Sequence, residues 1–131
     1  MFYSILIYGS EERAEQWAPE EMGELMGRHA DLRRDLEAQR RMGPVLRLTP
    51  HTTRTVRRYK DRDFVIDGPY AESKETLMGL YVVDCVTFED AVACAKRLEF
   101  DTCRFEISEL SWLTPGMLTP LAPSELSGER Q

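Results

Sequence analysis

Fifteen residues, Asp67-Gly68-Pro69-Tyr70-Ala71-Glu72-Ser73-Lys74-Glu75-Thr76-Leu77-Met78-Gly79-Leu80-Tyr81, constrain the fold more than any other part of this chain. They begin as a tight turn and end inside a strand. Asp67 can hydrogen-bond forward to its own backbone, Gly68 accepts a positive φ, and Pro69 fixes φ at about −65°. An ordinary turn would lead into polar linker. Here it leads into Glu72-x-Lys74-Glu75 and then residues 79–86, whose composition is that of an interior strand.

The remaining segments arrange themselves around that strand. Residues 2–8 are apolar at nearly every position and form a first strand, buried on both faces. Residues 9–13 read as a loop, with Trp17 covering one edge of the core. Pro19 at a first helical position, with Glu20 and Glu21 in the first turn, opens a long helix. Met22, Leu25, Met26, His29, Leu32 and Leu36 recur at spacings of three and four and mark its buried stripe. Arg40 and Arg41 suit its negative end, and Gly43-Pro44 is the expected stop. Residues 45–48 make a short strand, and residues 52–59 and 64–66 pair as a hairpin around a polar turn at 60–63. Thr87 caps a second helix, with Glu89 and Asp90 in its first turn and a small-residue face at Ala91, Val92, Ala95 and Leu98. Residues 104–110 alternate as a terminal strand.

The order β-α-β-β-(β)-β-α-β predicts an α+β fold, a ferredoxin-like split βαβ with an extra β-hairpin and an antiparallel sheet. Two helices cover only one face of such a sheet. The apolar content of the strands suits the other face poorly to water, which predicts a homodimer packed through that face. Residues 1–112 form the domain. Residues 113–131, broken by Pro115, Gly116, Pro120, Pro123, Ser124, Ser127 and Gly128, form an extension, either an arm or a disordered tail.

Charge and composition narrow the function. The total is −6, yet residues 28–62 hold eleven Lys/Arg against four Asp/Glu, so this stretch is +7 and the rest −13. A basic middle between acidic flanks fits solvated faces, complementary subunits, or a cationic lining for an anionic ligand. Nucleic acid is disfavoured, because the balance is acidic and the arginines of residues 54–62 are not interleaved with stacking aromatics. No apolar run approaches the ~18 residues of a membrane span, and residues 2–8 are too few for a signal peptide. A cytoplasmic protein is expected, with no membrane partner. Cys85, Cys94 and Cys103 are odd in number, without a CxxC pair or a histidine at metal spacing, and are expected to be reduced structural thiols. No Gly-rich phosphate loop, Ser–His–Asp order or metal triad is present, so neither a cofactor nor a metal is expected.

The Asp67–Lys74 stretch closely resembles the signature of the DGPF group of YCII-related proteins, Asp-Gly-Pro-Phe followed by Glu-x-Lys-Glu, with Tyr70 in place of Phe. The resemblance extends over residues 1 to 112. It implies a dimeric α/β barrel, and relatives on that architecture resemble muconolactone isomerases and dehydrochlorinases. It also implies a catalytic His–Asp couple in a dimer cleft, matched here by His29 and Asp67. Where the family commonly has Gly after the first helix and a Gly-rich second strand, this chain has Arg40 and Pro44-Val45-Leu46-Arg47-Leu48. That departure narrows or re-lines the cavity.

The residues themselves leave two readings at each position. His29 sits on the apolar stripe between Met26 and Leu32, as an inward acid or base or as a satisfied core histidine. Asp67 is a turn residue or a carboxylate that orients the imidazole. Glu72 and Lys74 point to one face in extended structure and form an ion-pair clamp or an anion site. Tyr70, Tyr81, Arg57 and Arg47 could all line the same cleft, and of these Tyr70 is the one near enough in sequence to be placed there. The expected function is a cofactor-independent enzyme acting by proton transfer, isomerisation or elimination. His29 would be the base, Asp67 its orienter, and Tyr70, Glu72 and Lys74 the seat of a small anionic or aromatic ligand. The alternatives are a ligand-binding or regulatory module, which the resemblance associates with an extracytoplasmic-function sigma factor, and a plain scaffold dimer.

Overall fold

β1 (Phe2–Gly9) becomes a central strand because both of its edges are paired. It lies antiparallel between β5 (Thr76–Asp84) and β6 (Arg104–Glu109), and β2 (Met42–Arg47) completes the sheet beyond β5, in the order β2-β5-β1-β6. α2 (Pro19–Ala38) connects β1 to β2, and α3 (Phe88–Arg97) connects β5 to β6. This is the ferredoxin-like α+β arrangement. β3 (Arg54–Tyr59) and β4 (Arg62–Asp67) form a separate two-stranded hairpin inserted between β2 and β5. The computed structural model describes residues 1–69 and 74–119.

The core lies between the helices and one sheet face. Tyr3, Ile5 and Ile7 from β1 and Tyr81, Val83 and Cys85 at and beyond β5 meet Leu32 and Leu36 of α2. Ala91, Cys94, Ala95 and Leu98 close it from the α3 side. The odd-numbered positions point inward, as the two-residue period of a strand dictates. Even positions form the opposite face, where Leu46, Leu80 and Leu6 lie side by side across three strands. Phe2 and Leu46 on that face are exposed.

Several boundaries differ from expectation for local reasons. Residues 11–15 are helical: α1 (Glu11–Glu15) is started by Ser10, whose side chain accepts from Arg13 N–H at 3.1 Å. α2 ends well before Gly43-Pro44. Arg40 takes the left-handed φ of 56°, Arg40 N–H donates to Glu37 O at 3.0 Å and Arg41 N–H to Leu36 O at 2.8 Å. These are the two bonds of a Schellman end, built on arginine instead of the usual glycine. Gly43 serves a different purpose. It sits at the β2 bulge against β5, where a Cβ would lie 2.6 Å from Val82 O, so only glycine fits.

The hairpin turn is tighter than the sequence suggests. Lys60 and Asp61 both have positive φ (50° and 61°), and Tyr59 already pairs with Arg62. This is a two-residue turn whose twist matches the flanking strands. At the base of the hairpin Gly68 adopts φ 97°, donates to Thr53 O at 2.7 Å, and accepts from Thr55 Oγ1 at 2.8 Å. Thr87 caps α3 as expected, accepting from Asp90 N–H at 3.1 Å, while Asp90 accepts in return from Thr87 N–H at 3.3 Å.

Candidate functional site

His29 is placed by helix period and Tyr81 by strand parity, and the two meet. His29 lies one turn before Leu32 and Arg33 on α2, so its ring descends toward β5. Tyr81 points to the helix side of the sheet because its alternate neighbours Leu80 and Val82 occupy the other face. Its ring is 1% exposed and its hydroxyl emerges beside the helix. His29 Nδ1 and Tyr81 Oη are 2.7 Å apart, with the rings tilted at 38°. Arg33, four residues after His29, brings Nη1 to 3.5 Å from the same hydroxyl. Arg47 joins from β2: it follows Val45, which packs on the core, by two positions, so it shares the helix side.

The electrostatics of this group favour a neutral imidazole. Burial, then the charges of Arg33 and Arg47, push the His29 pKa from 6.5 down to about 4. Burial also raises the Tyr81 phenol, against the opposing pull of Arg33. At neutral pH both groups therefore keep their uncharged forms. Tyr81 Oη has two lone pairs, so it can accept from Nδ1–H and from Arg33 together. That arrangement leaves Nε2 as an unprotonated acceptor, the form needed to take a proton from a bound molecule.

This depressed pKa has a consequence for folding. The unfolded chain takes up a proton at His29 near pH 6.5, while the folded chain resists until about pH 4. The site's contribution is therefore complete above pH 6.5 and is lost as pH falls toward 4. Solvent screening of the half-buried ring leaves a loss of about 1–2 kcal/mol. Urea titrations at pH 7 and pH 4.5 should show a smaller loss of stability in His29→Gln than in the parent chain. Equal losses would place the acid sensitivity elsewhere. His51, exposed, behaves oppositely: its hydrogen bond to Glu15 and the charge of Glu11 raise its pKa, so its link is strongest below its usual value and fades as pH rises. It ties the loop after β2 to α1.

The remaining expected site residues fall elsewhere. Asp67 ends β4, its side chain is 96% exposed, and Arg54 Nε lies 3.5 Å from it. No hydrogen bond or ion pair joins it to His29 within the protomer, where the partner of the imidazole is Tyr81. Lys74 is exposed just before β5. Tyr70 and Glu72 lie outside the described residues. An open groove of about 330 Å³ lies on the hairpin between Arg57, Tyr59, Phe64 and Ile66, apart from His29. A narrow cleft at the end of β2 has Arg47 in its wall with Thr49, Pro50, Leu77 and Met78. Sequence reasoning found His29, offered Tyr81 and Arg47 only as cleft lining, and missed Arg33. A usable signal existed for Arg33, which is at i+4 from His29. For Tyr81 and Arg47 the signal needed strand register.

Cys85 and Cys94 are buried and Cys103 is half-buried; none is bridged. Among the described residues no cluster of His, Cys, Asp and Glu is arranged to hold a metal ion, and no helix is long and apolar enough to cross a membrane.

Two comparisons bear on this fold and site. The family model described as "YCII-related domain" matches residues 1–102. An uncharacterized protein of Rhizobium meliloti (strain 1021) is 34% identical over 122 residues, covering 90% of this chain and 98% of the relative. The family match therefore includes α2 with His29, β2 with Arg47, and β5 with Tyr81.

Proposed function

Since the chain belongs to the YCII-related domain family, we propose that it is a cofactor-independent enzyme of small organic molecules, acting by proton transfer, isomerisation or elimination at the His29–Tyr81 pair. Family membership supplies the fold, and a fold by itself does not choose a reaction. The observation that carries the reading is the 2.7 Å contact between a half-buried imidazole, held neutral by burial and two arginines, and a phenol held neutral by burial. In this scheme Nε2 of His29 removes a proton from a carbon made acidic by a neighbouring carbonyl. Tyr81 Oη accepts from Nδ1–H and fixes the ring. The proton then returns to a different carbon, or a leaving group departs with its electron pair and the proton is released. Tyr81 takes the orienting role that the family resemblance gives to Asp67. Asp67, Tyr70, Glu72 and Lys74, on the hairpin end and signature loop, would act on the rim of the site if a bound molecule extends that far.

The same reading includes a homodimer. Leu46, Leu80 and Leu6 make a continuous apolar row on the sheet face that the helices leave bare. Val56 and Val65, paired on one face of the hairpin, are 72% and 66% exposed. A lone two-stranded hairpin with such faces in water is marginal, and a second copy covers both surfaces at once. The imidazole lies on the helix side, so a second copy on the open face does not by itself enclose it. Dimerisation and chemistry are then separable.

The test is deuterium exchange. Small lactones, 2-oxo acids and halogenated acids are incubated with the protein in D2O, and loss of carbon-bound protons is followed by NMR. His29→Gln should slow any enzyme-dependent exchange by about 10²–10⁴-fold. Exchange at the parent rate in His29→Gln would remove the imidazole from the mechanism.

A further inference from the structure

Arg33 differs from its neighbours on α2. Arg28 pairs with Glu24 at 2.8 Å and Arg34 with Asp31 at 3.1 Å, while Arg97 of α3 pairs with Asp35 at 2.7 Å. Arg33 has no carboxylate partner among the described residues; its one polar contact is the hydroxyl of Tyr81 at 3.5 Å. Arg47, exposed at the end of β2, forms no ion pair among the described residues, although Glu11 shares the wall of the cleft it lines; it stands two positions after Val45, which is opposite Tyr81, so its side of β2 faces the same group. Two guanidinium charges thus bear on one patch with a desolvated, uncharged histidine between the strands and the helix. Like charges on one patch repel, and the half-buried Arg33 has only a long contact to the Tyr81 hydroxyl to set against its desolvation. An anion held between the two guanidinium groups would relieve that repulsion. The planar fork of arginine fits a carboxylate through two parallel N–H···O bonds, and a pair of arginines can hold one from two sides.

We propose that Arg33 and Arg47 seat the carboxylate of a small organic acid, so that the carbon beside it is presented to His29. This assignment rests on the small-molecule reading of the His29–Tyr81 site and names the class of molecule it takes. It adds a coupling. The charges facing His29 are Arg33 from its own helix and Arg47 from β2, with the neutral Tyr81 from β5. An anion that neutralises the two arginines removes the repulsion that opposes protonation of the ring. Binding of the correct substrate class therefore makes the base stronger, and an uncharged molecule leaves it weak.

The chain has only two histidines, His29 and His51, so both imidazoles can be followed in histidine-labelled full-length protein by NMR, with His51 as the internal control. The pH titration is run in chloride, in malonate and in inorganic phosphate at equal ionic strength. Malonate should move the His29 midpoint upward by about one unit, roughly a tenfold change in proton affinity, and leave His51 in place. Arg33→Gln and Arg47→Gln should each raise the midpoint without anion and abolish the malonate response. An unmoved His29 midpoint in malonate, a response retained in both arginine variants, or a response to phosphate alone would each overturn the carboxylate seat. Failure is distinguishable from failure of the enzymatic reading. A malonate response without any deuterium exchange leaves the seat standing and removes the chemistry; exchange without a malonate response does the reverse.

Discussion

Tyr81→Ala should lose about 3–5 kcal/mol of stability, the range for removing a fully buried aromatic ring. That is a large share of the roughly 5–15 kcal/mol that holds a domain folded, so much of the protein should be unfolded in mild urea. The ring is 1% exposed and sits where β5 meets α2, among Ile5, Val83, Leu32 and Leu36. Its truncation opens a cavity between α2 and the sheet. Tyr81→Phe separates packing from chemistry, because it keeps the ring and deletes only the hydroxyl. It should cost about 1–2 kcal/mol and release the His29 ring from its fixed orientation. Urea unfolding measures the first effect, and the His29 NMR titration the second. A Tyr81→Ala protein within about 1 kcal/mol of the parent would show that the core does not depend on this ring.

Leu80→Glu should convert the proposed dimer into single copies. Leu80 stands at the middle of the open sheet face, paired laterally with Leu6 and Leu46. A carboxylate there meets no partner charge once covered, a penalty of about 3–5 kcal/mol, or roughly a hundred- to several-thousandfold in dissociation constant. Sedimentation of parent and variant at matched concentration reads the result. The circular dichroism spectrum should be unchanged, because the side chain lies away from the helix-side core. The His29 titration should also be unchanged, since the imidazole lies on the other face. A parent that sediments as one copy in dilute buffer would remove the homodimer.

The fold was legible where residue chemistry acts over short range. Alternation and apolar runs located the strands, and Thr87 with Asp90 announced the start of α3. Asp67-Gly68 announced the bend after β4, where Gly68 takes its positive φ. The ends of α2 and of the hairpin turn were less legible, because Arg40, Lys60 and Asp61 occupy left-handed conformations usually given to glycine or asparagine. Such positions are held by the surrounding hydrogen bonds and carry no compositional mark. Gly43 was read as a helix stop because Gly-Pro commonly is one; its reason for being glycine is the carbonyl of Val82 on a neighbouring strand.

By itself, the order of residues determined where the strands and the two longer helices lie, though not α1, which faces are oily, and that His29 lies on the inward stripe of a helix. Those properties depend on neighbours within a few positions, so they are written locally. Only the tertiary structure decided that the imidazole is met by Tyr81 and flanked by Arg33 and Arg47, while Asp67 is carried away on a hairpin. Partners 52 residues apart are joined by strand register and helix docking, and neither has a period that a linear reading can follow.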